Sequence, residues 1–362
     1  MEEPETTPFL EPQPYGSPMD KTLAGIYIIL MTAAIPSNLV SVIYFAAQNI
    51  RPGTTKEFFK LVYLNITLND FCVSVFCFPV VSVFLGKRRD SVFFQDDTFC
   101  KFWGFLWELF PYYSVFLVLI LSVSRMLVLV KPLIILSKRA LVLNLTFYIT
   151  LLVAAKVAFY MAEITQIDFT KRDTLCILIF VPENESIYPV YTFFNILLLA
   201  IPIIPICISC ILSVARLSKV KKALQTSKLS TKSKQSVEHR KRNRRVNSTV
   251  IIMTITYITC NVPVFMNYVL YGIWSAYTWS SSPMKYEDLY SNTFMYYYSW
   301  NCCLVLLVLV NAVLNPVIYV CRMREFKNFV RFHVKGFLKC KFQSTNKVAP
   351  VGNESQSNPG SM

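Results

Sequence analysis

The sequence contains few charged residues and only two histidines for its length. Charged residues make up 16% of the 362 residues, whereas hydrophobic residues make up 54%. This balance is unlike that of a soluble globular domain. The two histidines, His239 and His333, lie outside the long apolar runs, and no glycine-rich phosphate loop or nucleophile motif accompanies them. The sequence therefore predicts a membrane protein that is not an enzyme.

Long apolar runs fill most of the chain instead. A run of about 20 apolar residues can cross a hydrocarbon core of roughly 30 Å. Seven such runs predict membrane-spanning helices at 23–47, 58–85, 102–130, 140–162, 188–215, 248–274 and 293–320. Lys156 interrupts the fourth run near its end, where a lysine can reach the interface. We expect an all-α integral membrane protein, a bundle of seven transmembrane helices.

Basic residues are concentrated on one side of this predicted bundle. Alternate loops, the tail after residue 320 and Arg125 together hold 27 of the 36 Lys and Arg residues, whereas the other side holds 16 of the 21 acidic residues. The positive-inside rule places the basic side in the cytoplasm, so residues 1–22 form an extracellular tail. Residues 1–20 lack the apolar core of a cleavable signal peptide, and we expect the first span to direct insertion.

Two charges lie within the apolar runs. Cys100 precedes Arg125 by 25 residues, or about 37 Å of helix, which places Arg125 at the inner membrane boundary. There it is either an anchor that reaches water or a contact for a cytoplasmic partner. Asp70 lies near the middle of its run, where a carboxylate must be protonated or must have polar partners or an ion.

Polar residues in other runs can surround Asp70. They lie in the first, third and seventh spans and are Asn38, Ser114, Asn311 and Asn315. Each one alone is explained by an ordinary hydrogen bond between helices. Their number around a single acid indicates a shared polar site instead, and its oxygen atoms suit a sodium ion.

The ordered set of motifs resembles the rhodopsin-like (class A) G-protein-coupled receptors over roughly residues 22–340. The matching residues are Asn38, Asp70 in "LNITLND", Cys100 and Arg125 at the family's separation, Pro132, Tyr257 and Pro263 in "YITCNVP", and Pro316 and Tyr319 in "NPVIY". The resemblance implies a plasma-membrane receptor that converts binding of an extracellular ligand into activation of a heterotrimeric G protein. It implies arrestin and receptor kinase as further partners, membrane lipid around the bundle, and no nucleic acid.

The resemblance also assigns roles along the chain. Arg125, Tyr257, Pro263, Pro316 and Tyr319 would couple to the G protein and switch conformation. Residues 23–320 form the receptor domain, and 321–341 resemble the family's amphipathic eighth helix on the inner leaflet. We expect residues 342–362 to be a disordered cytoplasmic tail, and Cys340 is a candidate for palmitoylation.

Several positions depart from the family pattern. Ser124 and Met126 flank Arg125 where relatives carry an acid and an aromatic residue, and Asn261 stands where they carry a tryptophan. The fourth span also lacks its usual tryptophan. At the inner end of the sixth span, Asn243 takes the place of a second acid. Because neither position supplies a charge to hold Arg125, we expect high basal signalling.

All five tryptophans fall on the predicted outer half. An interfacial aromatic belt explains some of them, and a pocket open to the outside explains the others. The pocket candidates are Trp107, Glu108, Tyr268, Tyr271, Tyr298 and Asn301, although Glu108 can equally face a neighbouring helix. Amine receptors carry an aspartate at the position of Trp107, and light receptors a lysine at Leu309, so neither ligand class is expected. The acidic outer face favours a basic peptide, and lipid or small-molecule ligands stay open.

The outer loops carry two modification signals. Only Cys100 and Cys176 fall on the oxidising side, and we expect them to form a disulfide that ties the second outer loop to the third span. Asn184 in "NES" is a glycosylation sequon on the same side.

Two other classes of protein stay open. An ion-coupled transporter or channel would also carry an acid such as Asp70 in the membrane, although the chain shows no inverted repeat. A receptor-like protein that signals without a ligand, or acts as a scaffold, is the other alternative.

Overall fold

A computed structural model describes residues 18–87, 97–131, 136–164, 187–226, 247–267, 269–270 and 292–333, and these residues are predominantly helical. The helices are α1 (Pro18–Ala47), α2 (Thr55–Cys72), α3 (Phe78–Lys87), α4 (Asp97–Val130), α5 (Lys138–Ile164), α6 (Ile187–Thr226), α7 (Asn247–Asn267), α8 (Asn292–Arg322) and α9 (324–333). A π-helical segment, Val73–Cys77, joins α2 to α3.

These helices form the predicted seven-helix bundle. Six membrane spans are evident in the described residues by length and hydropathy, in α1, the joined α2 and α3, α4, α6, α7 and α8. Helix α5 covers the fourth predicted run and has 27 residues. Helix α6 continues to Thr226, beyond the apolar run. Helix α1 begins at Pro18, within the segment expected to be a tail.

A capping arrangement begins α2. The Thr54 hydroxyl accepts a hydrogen bond from the Glu57 backbone N–H at 3.3 Å, and the Glu57 carboxylate accepts one from the Gly53 N–H at 2.8 Å. Gly53 has a φ of 75°, a conformation that glycine adopts without steric cost. The other Glu57 oxygen lies 3.3 Å from the Lys138 ammonium. This resembles a capping box, and it also links the start of α2 to the start of α5.

The fourth span packs through tyrosine in the absence of a tryptophan. The rings of Phe116 on α4 and Tyr148 on α5 stack with centroids 3.8 Å apart and an interplanar angle of 8°. The Tyr148 hydroxyl donates a hydrogen bond to the Tyr112 carbonyl oxygen at 3.3 Å. A stacked ring and a satisfied hydroxyl give α5 a defined position on α4.

An aromatic cluster closes the end of the bundle that carries Arg125, here called the Arg125 end. Tyr44 and Phe45 on α1 contact Phe326 on α9, with ring centroids 4.9 and 6.3 Å away. Tyr319 on α8 lies 5.3 Å from Phe45 and 5.8 Å from Phe326. Phe326 is only 1% exposed. Helix α9 is therefore anchored on α1 and α8 by the side chain of Phe326.

We predict that Phe326→Ala lowers the free energy of unfolding by about 3–5 kcal/mol, because it removes a fully buried ring from this cluster. Thermal unfolding of the purified protein in detergent measures the change. Phe332→Ala is the matched control, since Phe332 lies on the same helix and is 75% exposed. Equal losses from the two variants would contradict the packing described here.

Candidate functional site

Asp70 is buried at the centre of the bundle and bonded to α8. The residue is 5% exposed. Its carboxylate Oδ2 accepts a hydrogen bond from the Asn315 Nδ2 at 2.7 Å. The π-helical segment begins three residues later, where the Ser74 hydroxyl donates to the Asp70 carbonyl oxygen at 2.6 Å. A π turn inside a helix often marks a functional position. The structure thus brings together Asp70 and Asn315, two of the predicted polar residues.

Asn38 joins the same group through a carbonyl that proline leaves free. Pro316 has no N–H, so it cannot donate to the carbonyl of Ala312 four residues earlier in α8. The Asn38 Nδ2 donates to this carbonyl oxygen at 3.0 Å. Helix α1 is therefore joined to α8 one turn from Asn315, and Pro316 itself is buried.

The polar group also offers oxygen atoms without partners. The side-chain oxygens of Asn38 and Asn311 are buried and have no hydrogen-bond partner among the described residues. Amide and carboxylate oxygens of this kind are ligands that hard cations prefer. The described residues contain no group of three His, Cys, Asp or Glu side chains that could hold a metal ion. One carboxylate with neutral amides suits a monovalent cation better than a divalent one.

Ser114 lies beside Tyr257. Its side chain is beside the Tyr257 hydroxyl, and within the described ranges it makes no hydrogen bond to Asp70. Tyr257 and Tyr319 are both buried and both close enough to Asp70 to interact electrostatically. The two tyrosine side chains therefore extend the polar centre towards the Arg125 end.

Arg125 contacts an aromatic ring and, among the described residues, has no acidic partner. Its guanidinium carbon lies 3.3 Å from the centroid of the Phe59 ring on α2, and the Tyr63 hydroxyl is nearby. No carboxylate in the described part of the chain lies within ion-pair distance of Arg125. Ser124, at the position of the missing acid, is buried. A cation–π contact thus occupies the guanidinium in place of an ion pair.

A polar cavity opens beside Arg125 between α4, α6 and α7. It is small, with room for about one water molecule. The polar side chains that line it are Ser122, Arg125, Ser209, Ser213, Asn247 and Thr254. The Arg125 Nε is buried and has no hydrogen-bond partner in the described residues. The cavity therefore offers a guanidinium and several hydroxyl groups at one end of the bundle.

Helix α7 carries Asn261, which departs from the family motif, and Pro263, which agrees with it. Asn261 replaces the tryptophan, is buried, and donates its side-chain N–H to the Tyr257 carbonyl oxygen at 3.0 Å. Pro263 lies two residues further along. The Asn261 amide therefore bonds to the backbone of its own helix, close to the proline.

Only part of the predicted ligand pocket falls on described side chains. The Trp107 ring lies 5.3 Å from Trp103 and 6.2 Å from Phe78, measured between ring centroids. Leu309 is fully buried in the adjacent apolar core. The candidates outside the described side chains or residues are Glu108, Tyr268, Tyr271, Tyr298 and Asn301. The same applies to Cys100, Pro132, Cys176, Asn184, Asn243 and Cys340, so the disulfide, the glycosylation and the palmitoylation stay predictions.

Phe59 and Tyr63 are site residues that the sequence did not indicate. Both are buried in α2, where an aromatic residue is expected for packing alone. Their relation to Arg125 depends on how α2 and α4 are rotated against each other. No spacing in the sequence carries that information.

The sequence matches one protein-family model and no curated protein. The model described as 7 transmembrane receptor (rhodopsin family) matches residues 37–319, which is well over half of the chain. No curated protein matches the sequence significantly. The matched range includes the polar centre, Arg125 and the "NPVIY" segment, and members of this family are membrane receptors and not enzymes. The chain belongs to the rhodopsin family of seven-transmembrane receptors.

Proposed function

We propose that this receptor converts ligand binding at its outer face into guanine-nucleotide exchange on a heterotrimeric G protein. The observation that supports it most directly is the position of Arg125 at a polar cavity between α4, α6 and α7. A cavity that widens there can accept a helix of the G protein. In this proposal the amino terminus is extracellular and the Arg125 end is cytoplasmic, as the distribution of basic residues indicates.

In this proposal the structure is the resting form, and its contacts suggest how the helices move on activation. Arg125 leaves the Phe59 ring as α7 moves outward, and Tyr319 swings inward from its aromatic cluster. The buried hydroxyls of Tyr257 and Tyr319 have no hydrogen-bond partner among the described residues, so each would gain a bond in a conformation that supplies one. Ligand and G protein then stabilise the same open conformation from opposite sides. Arrestin and receptor kinase would bind at the same end.

A basic peptide is the ligand class we favour. The predicted outer face carries the acidic residues Asp96, Asp97, Asp173, Glu183, Glu185, Glu287 and Asp288. Such a face attracts cations and raises their rate of encounter. Aromatic side chains such as Trp107 would then provide apolar contact area in the pocket.

Vesicles that contain the receptor and added heterotrimers test this function against the transporter alternative. We expect nucleotide exchange to increase when a member of a basic peptide library is added, with no ion flux across the same vesicles. Ion flux without exchange would favour the transporter. Activation only by anionic or lipid compounds would refute the proposed ligand class and leave the coupling intact.

We also propose that the centre formed by Asp70, Asn38, Asn311 and Asn315 binds sodium, with Ser114 as a further ligand. An ion that contacts residues on α1, α2 and α8 would stabilise the conformation in which these helices lie close together. Sodium should therefore favour the resting form and oppose agonist binding.

Agonist affinity is predicted to fall when sodium replaces a bulky cation at constant ionic strength, and Asp70→Asn should abolish this dependence. Glu57→Gln is the matched control, because it removes an acid from the same helix outside the centre and should keep the sodium effect. An Asp70→Asn receptor that folds and retains the full effect would exclude the site.

High basal activity is expected because Ser124 and Asn243 stand where relatives carry the acids that hold the arginine. The loss of a partly exposed ion pair is worth about 1 kcal/mol, which shifts a two-state equilibrium about fivefold. We predict that Ser124→Asp lowers ligand-free second-messenger output per surface receptor by this factor. Ser137→Asp adds the same charge at an exposed position before α5 and should leave the output unchanged. Equal output from the native chain and Ser124→Asp would leave the expectation without support.

A further inference from the structure

A neutral hydrogen bond joins α4 to α7 one turn from Arg125. The hydroxyl oxygens of Ser122 on α4 and Thr254 on α7 lie 3.0 Å apart. Both residues are buried, with 4% and 2% exposure. The bond lies at the wall of the polar cavity, where α7 would have to separate from α4 for the cavity to widen.

A second contact ties the same end of α7 to α8. The Arg322 guanidinium donates a hydrogen bond to the Ser248 hydroxyl. Ser248 lies at the start of α7, close to the cavity residue Asn247. Helix α7 is therefore held at the Arg125 end on two sides, and neither contact uses a carboxylate.

We propose that the Ser122–Thr254 hydrogen bond holds α7 against α4 in the resting conformation and that these two residues control the opening of the cavity. The proposal rests on the proposed function, and it names the contact that regulates it. The Ser122–Thr254 pair is neutral, and Ser124 and Asn243 replace the acids that relatives place near the arginine.

The character of the bond determines how it regulates. Two neutral hydroxyls make a bond that salt does not screen, in contrast to an exposed ion pair. The cost of breaking it is moderate, because Ser209 and Ser213 line the same cavity and the freed hydroxyls stay among polar groups. A net contribution typical of one hydrogen bond corresponds to about a fivefold change in the open population.

The distance between two spin labels, one on α4 and one on α7, measures the open population without a G protein. Lys131→Cys and Ile252→Cys place labels at exposed positions near the ends of α4 and α7, in a Cys321→Ser background because Cys321 is exposed. We predict that Thr254→Val, which removes the hydroxyl at nearly constant volume, raises the open fraction about fivefold. Thr254→Ser keeps the hydroxyl and should match the native chain. Thr259→Val, at an exposed position of α7, is the control for added apolar surface.

The second half of the test uses the partner residue. Ser122→Ala should raise the open fraction as much as Thr254→Val, and the double variant should not exceed either one, because both changes break the same bond. Ligand-free nucleotide exchange should rise in parallel. An unchanged open fraction in Thr254→Val, or a double variant equal to the product of the single effects, would overturn the proposal. A raised open fraction in a chain that catalyses no exchange would support the contact and refute the proposed function instead.

Discussion

Asp70 places a carboxylate in the middle of a bundle that crosses a membrane, and the surrounding structure follows from the cost of leaving that group without partners. The Asn315 side chain bonds to it at 2.7 Å, which fixes the rotation of α8 against α2. Asn38 then bonds to the α8 carbonyl that Pro316 leaves free, which fixes α1 as well. A few polar contacts in an apolar medium thus set the relative positions of three helices, whereas apolar packing alone would permit several.

The same centre is well suited to conformational change because it is incompletely satisfied. Buried oxygens of Asn38 and Asn311 and the buried hydroxyls of Tyr257 and Tyr319 have no hydrogen-bond partner within the described residues. Each such group costs free energy in a low-dielectric interior. An ion, a water molecule or a helix rearrangement that supplies these partners would therefore change the relative free energies of the resting and open conformations.

The Arg125 end is arranged differently from the centre. Its guanidinium lies over the Phe59 ring, and the polar side chains across the cavity carry hydroxyl and amide groups. These contacts are neutral or aromatic, so their strength depends little on salt or on the ionisation of an acid. The aromatic cluster around Tyr319 and Phe326 closes the same end, with rings from α1, α8 and α9 in mutual contact. Opening at this end therefore competes with hydrogen bonding and ring packing, and among the described residues no ion pair holds Arg125.

The sequence by itself determined the helical membrane class, the positions of the spans and the membership of a receptor family. The length of the apolar runs and the order of the motifs carry that information, because the bilayer imposes one thickness on every span. It also predicted a polar group of Asp70, Asn38, Ser114, Asn311 and Asn315, since charges and amides in such runs need partners, and the structure joins Asp70 to Asn315. The π turn after Asp70 could not be foreseen, because it inserts one residue into a helix without changing the apolar pattern.

Only the tertiary structure decided which side chains meet across helices. Phe59 and Thr254 look like ordinary residues of apolar helices, and the bond between Ser122 and Thr254 spans 132 positions of the chain. Apolar periodicity indicates that a helix is buried, but in a membrane it does not distinguish the face towards lipid from the face towards protein. The rotation of each helix about its axis, set by small residues, prolines and polar bonds, therefore decides which hydroxyl opposes which, and whether Arg125 finds an acid or a ring.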